Sequence, residues 1–403
     1  MKRHWFPTLA SVFLGILLLA VFAVRGIPYF FDTELPEPAG SGFGSETVRA
    51  RVETVIETGT IDMDGVSQLY QVLRVGILEG EYAGIPIEVE YGRTRLLPDN
   101  RPFAPGDEIF VVLGLRPDNR LVAYYADAVR WQPLALLGAL FVAAILAISR
   151  WKGLRALLSL VFSLLVIIGY IIPHILQGED PVRVSIIGSG ILLAVSLYLT
   201  YGWTLKTHAA VLSMLIVLVI TGSLAWLFIW MTRLSGYGDE NALFLVQVPG
   251  IQINLRGLLL GGMIIGALGV LDDLVTTQAS AVFELHGANP SLGLRLLSAR
   301  ALRIGQDHVA ATVNTLVLAY AGASLPMLLL FTMMRGNLAY LINYETVAHE
   351  IVRTLVGSLG LVVAVPLSTL TAALLALYGD RLGVLRPLLG KTGSHDEHGH
   401  AHG

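Results

Sequence analysis

The chain has 403 residues, 54% of them hydrophobic and 14% charged, with no cysteine and a formal net charge of -3. An ordinary soluble domain carries roughly 25% charged residues, and so apolar a composition on a soluble chain would leave large exposed patches. It excludes intrinsic disorder, disulfide scaffolds, thiolate zinc sites, iron–sulfur clusters and cysteine nucleophiles, and 27 basic against 30 acidic residues give no reason to expect nucleic acid. A polytopic membrane protein remains.

A bilayer core of about 30 Å takes about 20 apolar residues per helix. Eight runs meet that length: 7–25, 132–149, 156–173, 184–201, 209–231, 257–275, 309–331 and 354–378. The first, within residues 1–31, reads as an uncleaved anchor, although Val21-Phe22-Ala23 also suits signal-peptide cleavage. Residues 32–45, rich in Pro, Gly and Ser, form a linker. Residues 46–130 alternate at period 2 in five strands, Val48–Val55, Leu69–Ile77, Ile85–Tyr91, Glu108–Leu113 and Leu121–Val129. Turns at Gly80, Gly84, Pro98, Pro105-Gly106 and Pro117-Asp118-Asn119 separate them. Five short strands suggest a small barrel of oligonucleotide-binding topology, a shape rather than an activity, since no aromatic-plus-basic stacking surface accompanies it. A cap or partner-docking module is the expectation.

Residues 131–380 hold the other seven spans, and 381–403 a tail. The fold class is therefore mainly α, a transmembrane bundle of about eight spans with a small extracytoplasmic β-barrel-like domain inserted after the first. Lys and Arg mark cytoplasmic loops. Twelve basic residues, from Lys2-Arg3 to Lys391, fall in alternate loops, against five in the opposite short loops, Arg183, Arg233, Arg256, Arg335 and Arg353. Both termini are expected inside and residues 46–130 outside.

An acidic side chain within a span marks a functional site by default. The sixth span holds Asp272 and Asp273, with Thr276 and Thr277 one turn on and Gln278 after them. Adjacent helical positions point about 100° apart, so the two carboxylates cannot share a face fully. The seventh begins Asp307-His308, and Asp307, Ala311 and Asn314 share a face. Gly261, Gly262, Gly266 and Gly269 would let helices six and seven approach until their polar stripes meet. Such oxygens suit a hard cation, a desolvated carboxyl suits a proton relay, and an Asp pair at the inner face suits magnesium with a lipid phosphate. Against these stands capping, with Asp272 at a helix break or Asp307 at a helix start.

Other signals are weaker. His174, His208, Glu284, His286 and His349 sit at span ends or in loops. Pro326 and Pro366 interrupt apolar runs, and Ser368, Thr369 and Thr371 either line a path or bond back to their own helix. Leu292, Leu296, Leu297 and Ile304 beside Arg295, Arg300 and Arg303 suggest an interfacial helix. His395, His398, His400 and His402 form a weak candidate for holding zinc, nickel or copper.

Residues 261–273 (Gly-Gly-Met-Ile-Ile-Gly-Ala-Leu-Gly-Val-Leu-Asp-Asp), then Gln278-Ala-Ser-Ala-Val-Phe-Glu284, Ile304-Gly-Gln-Asp307-His and Asn314-Thr-Leu-Val-Leu-Ala-Tyr-Ala-Gly322 resemble the YibE/F family of bacterial membrane proteins. Leu78-Glu-Gly-Glu-Tyr-Ala-Gly84 is similar to the family's N-terminal part, and Pro366-Leu to its last helix. The resemblance implies a multi-pass protein of the bacterial cytoplasmic membrane, permease-like, and favours Asp273 over Asp272 as the constant acid. It implies little about activity.

The expected function is transport of a small solute or cation through a site on Asp273 in the inner third of the bilayer, with Asp272, Thr276, Thr277, Gln278, Asp307 and Asn314. No cofactor is required, though a divalent cation fits the oxygen set. The expected partners are the bilayer and the solute or ion, with room for a homo-oligomer or a membrane-protein partner. An accessory subunit working through the outer domain is the alternative. A lipid-phosphate phosphotransferase is the weaker one. Leu271-Asp272-Asp273 resembles the Asp-Asp motif of polyprenyl-phosphate phosphosugar transferases, but no Lys occurs between Lys206 and Lys391. An intramembrane aspartyl protease would use Asp273 and Asp307, yet Ile304-Gly-Gln-Asp307 lacks the Gly-x-Gly-Asp expected there. No enzymatic activity is therefore expected.

Overall fold

A computed structural model describes residues 46–63, 65–93, 101–115, 120–248, 252–333 and 338–379. The expected first span, the linker and the His395–His402 cluster lie outside the described residues. The chain divides between Ala147 and Ile148 into two compact units.

The first unit is built on five antiparallel strands, β1 (Glu46–Met63), β2 (Val66–Ile77), β3 (Pro86–Tyr91), β4 (Glu108–Leu115) and β5 (Leu121–Ala128), in the order β3-β2-β1-β4-β5. The long β1 serves two partners, pairing with β4 over Glu46–Arg51 and with β2 from Ala50 onward. Its irregularities between Val52 and Thr54 and between Val55 and Glu57 are of the kind that bends a strand. The two edge strands meet, with the Tyr91 ring of β3 edge-on to Tyr125 of β5 at 4.9 Å, so the sheet curls back on itself. Alternate residues fill the interior, including Val48, Ala50 and Val52 of β1, Leu73, Val75 and Ile77 of β2, and Ile109, Val111 and Leu113 of β4. The family-like stretch 78–84 is a structural turn. Gly80 and Gly84 both take a φ of 85°, a region that favours glycine. Glu79 clasps β1, accepting from the Arg49 backbone N–H at 2.9 Å and from its Nε–H at 3.0 Å.

Beyond the sheet the chain is helical, the first helix beginning in the first unit and ending in the second. Helix α1 (Trp131–Val166) breaks at Arg150 (φ 47°, ψ -123°), which separates the expected spans 132–149 and 156–173. It passes through a π-turn into α2 (Ile172–Leu176). Next come α3 (Pro181–Tyr201), α4 (Leu205–Met231) and the short α5 (Glu240–Gln247). They are followed by α6 (Leu255–Ala288), α7 (Leu294–Ala323), α8 (Leu325–Met333), α9 (Leu338–Asn343) and α10 (Glu345–Tyr378). Side chains of Asp180, Thr204, Asp239 and Asn254 cap α3 to α6 in turn by accepting first-turn backbone N–H groups.

Among the described residues, five helical stretches are long and apolar enough to cross a membrane: Trp131–Leu176, α3, α4, α6 and α10. The expected span 309–331 is divided at Ser324 between α7 and α8, where Pro326 occupies the first turn of the new helix. Directions alternate. Glu345 at the start of α10 accepts from Ser235 just beyond α4, and Arg256 at the start of α6 donates to the Leu234 carbonyl at 3.0 Å. Helix α7 runs opposite to α6 and α10, since Gly305 adjoins Gln278 and Val365 while Leu316 adjoins Gly357 and Tyr320 adjoins Gly266. Leu292 and Leu297 pack in the helical core, whereas Leu296 and Ile304 are exposed, so the segment expected on the lipid surface contributes half of its apolar residues to the interior.

The Arg49–Glu79 clasp sets a pH dependence. The Arg49 backbone N–H, and after it the guanidinium, hold the Glu79 carboxyl below the usual carboxylate range. For such a group the stabilisation is complete above the usual range and is lost as pH falls through the depressed value. Hydrogen exchange at Leu78, whose N–H donates to the Arg49 carbonyl at 2.8 Å, reads it after correction for intrinsic rates. Protection is expected to fall below about pH 4 in the wild type and to be low throughout in Glu79→Gln. Equal protection in the two proteins would refute it.

Candidate functional site

Helix α6 runs unbroken from Leu255 to Ala288, which places Asp272 seventeen residues in, about 26 Å along its axis. It therefore caps no helix end. Asp307 caps none either. Helix α7 begins at Leu294 because Leu297, Ala301 and Gly305 extend a buried stripe ahead of the apolar run.

Packing decides which acid faces inward. Leu271, Leu274, Val275 and Gln278 are buried, and they turn Asp272 and Thr276 towards the neighbouring helices. Asp273 and Thr277, about 100° round, are exposed. The Asp272 Oδ1 atom is buried and has no hydrogen-bond partner. Around it, the Thr276 hydroxyl donates to the Asp272 backbone carbonyl at 2.8 Å. Its single proton being used, it accepts from the Tyr201 hydroxyl of α3 at 3.4 Å. The last turn of α3 carries further polar groups to this end, with the Tyr198 hydroxyl 2.7 Å from His208 Nδ1 and Arg155 Nε donating to the Leu199 carbonyl at 2.7 Å.

Gln278 is a strut. Its Nε2 donates to the Ala301 carbonyl of α7 at 2.9 Å and to the Thr369 hydroxyl of α10 at 2.6 Å, tying three helices together. Gly305 leaves room for it, since a Cβ there would lie 2.7 Å from Gln278 Oε1. Asp307 and Asn314 are both exposed, on the side of α7 away from its buried stripe. The expected meeting of polar stripes thus joins Asp272, Thr276 and Tyr201 on one side and leaves Asp273, Thr277, Asp307 and Asn314 facing outward. Of the four glycines, Gly266 adjoins Tyr320 of α7, Gly261 adjoins Ser185 of α3, and Gly262 and Gly269 face open space. Ser368 and Thr371 bond back to carbonyls of their own helix, so they serve packing. Among the described residues no three His, Asp or Glu side chains gather as a metal-ligand set.

Residues 137–377 match the family model described as YibE/F-like protein. The chain belongs to the YibE/F family. The match runs from within α1 to the last turn of α10, so it covers the acidic stretch of α6 and leaves the sheet outside. No curated protein and no solved structure matches this YibE/F chain.

Tyr201 escaped the sequence reading, and Arg353 and His349 entered it only as residues of a loop. Tyr201 was hidden at a span end, where a tyrosine is ordinary. Arg353 and His349 were placed ahead of a span starting at 354, whereas α10 starts at Glu345 and carries them in its first turns. The spacing of Glu345, His349, Val352 and Val356 was the available signal.

Replacing Gln278 by Ala removes both struts and leaves the Ala301 carbonyl and Thr369 hydroxyl short of a donor. A loss of about 1–3 kcal/mol is expected, seen as a lower Tm of the full chain in detergent. An unchanged Tm would show that the struts contribute nothing.

Proposed function

We propose that this YibE/F protein is permease-like and moves a small solute or cation across the bacterial cytoplasmic membrane through a site on the acidic stretch of α6. The observation that carries this reading is the buried, unpartnered Asp272 Oδ1 on a helix long and apolar enough to cross a membrane. A carboxylate without a partner in such surroundings destabilises the fold, and residues of this kind in spans belong to ion and proton pathways. A cation or proton arriving from outside satisfies it, one turn from the Thr276 hydroxyl, which lies 3.4 Å from that of Tyr201. Asp273, on the adjacent face, adds negative charge that attracts a cation. The exposed positions Gly262, Gly266, Gly269, Asp273 and Thr277 follow one face of α6, a small and polar line on which a solute passes or a partner helix packs. The distribution of basic residues supports an orientation with both termini cytoplasmic and the sheet unit outside.

A second reading, an accessory subunit acting through the outer domain, is favoured by the sheet forming a compact unit of its own. Proteoliposomes loaded with the full chain separate the two. Under the transport reading, Asp272→Asn abolishes cation or proton flux while Asp273→Asn reduces it severalfold, and deletion of 46–130 leaves flux in place. Flux at the wild-type level in Asp272→Asn would end the transport assignment at this site.

A further inference from the structure

A cavity of about 400 Å3 opens where α4 ends and α6 begins, lined by Trp230, Met231, Arg233 and Arg256. All four residues are exposed, Trp230 to 65% and Met231 to 57%. Both helices are long and apolar enough to cross a membrane, so the cavity sits at the level where a span leaves the hydrocarbon. The two arginines are among the five basic residues of the short loops opposite the strongly basic ones. Fixed cations are scarce at this end of the bundle, and two of them line one opening.

Neither guanidinium is neutralised. Arg256 donates its Nε–H to the Leu234 carbonyl at 3.0 Å, which anchors the group and leaves four N–H donors on its terminal nitrogens. The Arg233 side chain forms no ion pair or hydrogen bond among the described residues. Its backbone is what the fold holds. The Leu234 N–H donates to the Ile229 carbonyl at 3.1 Å and the Arg233 N–H to the Trp230 carbonyl at 3.2 Å, a helix closure that sets Arg233 at a φ of 57°. Glycine is the usual residue there, because a side chain in this conformation is unfavourable. The packing of the chain does not account for an arginine at that position.

An exposed stripe leads away from the cavity along α4. Val219, Ser223, Trp226 and Trp230 share one face, with Val219 69% and Trp226 60% exposed. The stripe runs about 16 Å, and Ser223 turns its hydroxyl proton back to the Val219 carbonyl at 2.7 Å. We infer that the cavity holds the phosphate group of an anionic phospholipid between Arg233 and Arg256, with an acyl chain along this stripe. Phosphate oxygens accept charge-assisted bonds from guanidinium donors, and Trp230 suits the boundary between headgroup and chain. A free phosphate would meet the same two cations but leave the apolar stripe unused. Arg256 lies about 24 Å along α6 from Asp272, so the site stands whether or not Asp272 transports anything.

Native mass spectrometry of the purified full chain in detergent, titrated separately with phosphatidylglycerol, phosphatidylcholine and inorganic phosphate, tests it. Basic residues elsewhere on the bundle also attract anionic lipid, so the readout is the difference between the wild type and Arg233→Gly. Glycine accepts a φ of 57° without strain, so this variant is expected to fold with a Tm no lower than that of the wild type. Its tightest phosphatidylglycerol step is expected to weaken about fivefold, the contribution of one basic residue beside an anionic lipid. Phosphatidylcholine, whose ammonium the arginines repel, and inorganic phosphate are expected to bind the two proteins equally. Equal phosphatidylglycerol binding by the two proteins would overturn the proposal. So would an equal loss for phosphatidylcholine, or a loss for inorganic phosphate, which would make the ligand a free anion. A lower Tm in Arg233→Gly would also overturn it, by assigning the arginine to the fold.

Discussion

Inside a bundle of apolar helices a polar atom has only the protein itself to bond, and that constraint organises the helical unit. Ser368, Thr371 and Thr276 return their hydroxyl protons to carbonyls of their own helices. Gln278 spends its amide on two neighbours. Glu345 satisfies the turn after α4 by accepting from the Ser235 backbone N–H at 2.7 Å and from Gly236 at 3.0 Å. Against this background eight buried side-chain atoms among the described residues have no partner, and the Asp272 oxygen is the one among them that belongs to a carboxyl.

Close packing through glycine brings these side chains against the neighbouring helices. At Gly360 a Cβ would lie 2.6 Å from Thr221 Oγ1, and at Gly305 one would meet Gln278. Helices separated by larger residues would leave both side chains without their neighbours. The apolar contacts of α4, α6 and α10 set the spacing, with Met214, Leu271, Leu274 and Leu361 fully buried among them.

The sheet was legible because period-2 alternation and positive-φ glycines at Gly80 and Gly84 are local signals. Its strand order needed long-range pairing, above all the division of β1 between β2 and β4. The helices were legible as apolar runs, but their ends were not. Polar first turns, as at Glu345–Arg353, read as loops until packing recruits them. The choice between Asp272 and Asp273 was the least legible. Helix α6 is apolar on nearly every side, so its periodicity did not reveal which face is buried. Family resemblance pointed to Asp273, while packing turns Asp272 inward.

The central claim is that Asp272 holds a buried carboxyl oxygen with no partner in the protein, kept at the expense of stability. Thermal unfolding of Asp272→Asn beside Asp273→Asn and the wild type, in lipid nanodiscs without added ligand, tests it most directly. Removing an unpaired charge does not destabilise, so Asp272→Asn is expected to unfold at or above the wild-type temperature, with Asp273→Asn unchanged. A fall of several degrees in Asp272→Asn would mean that the carboxyl is engaged by the fold, and would contradict the claim.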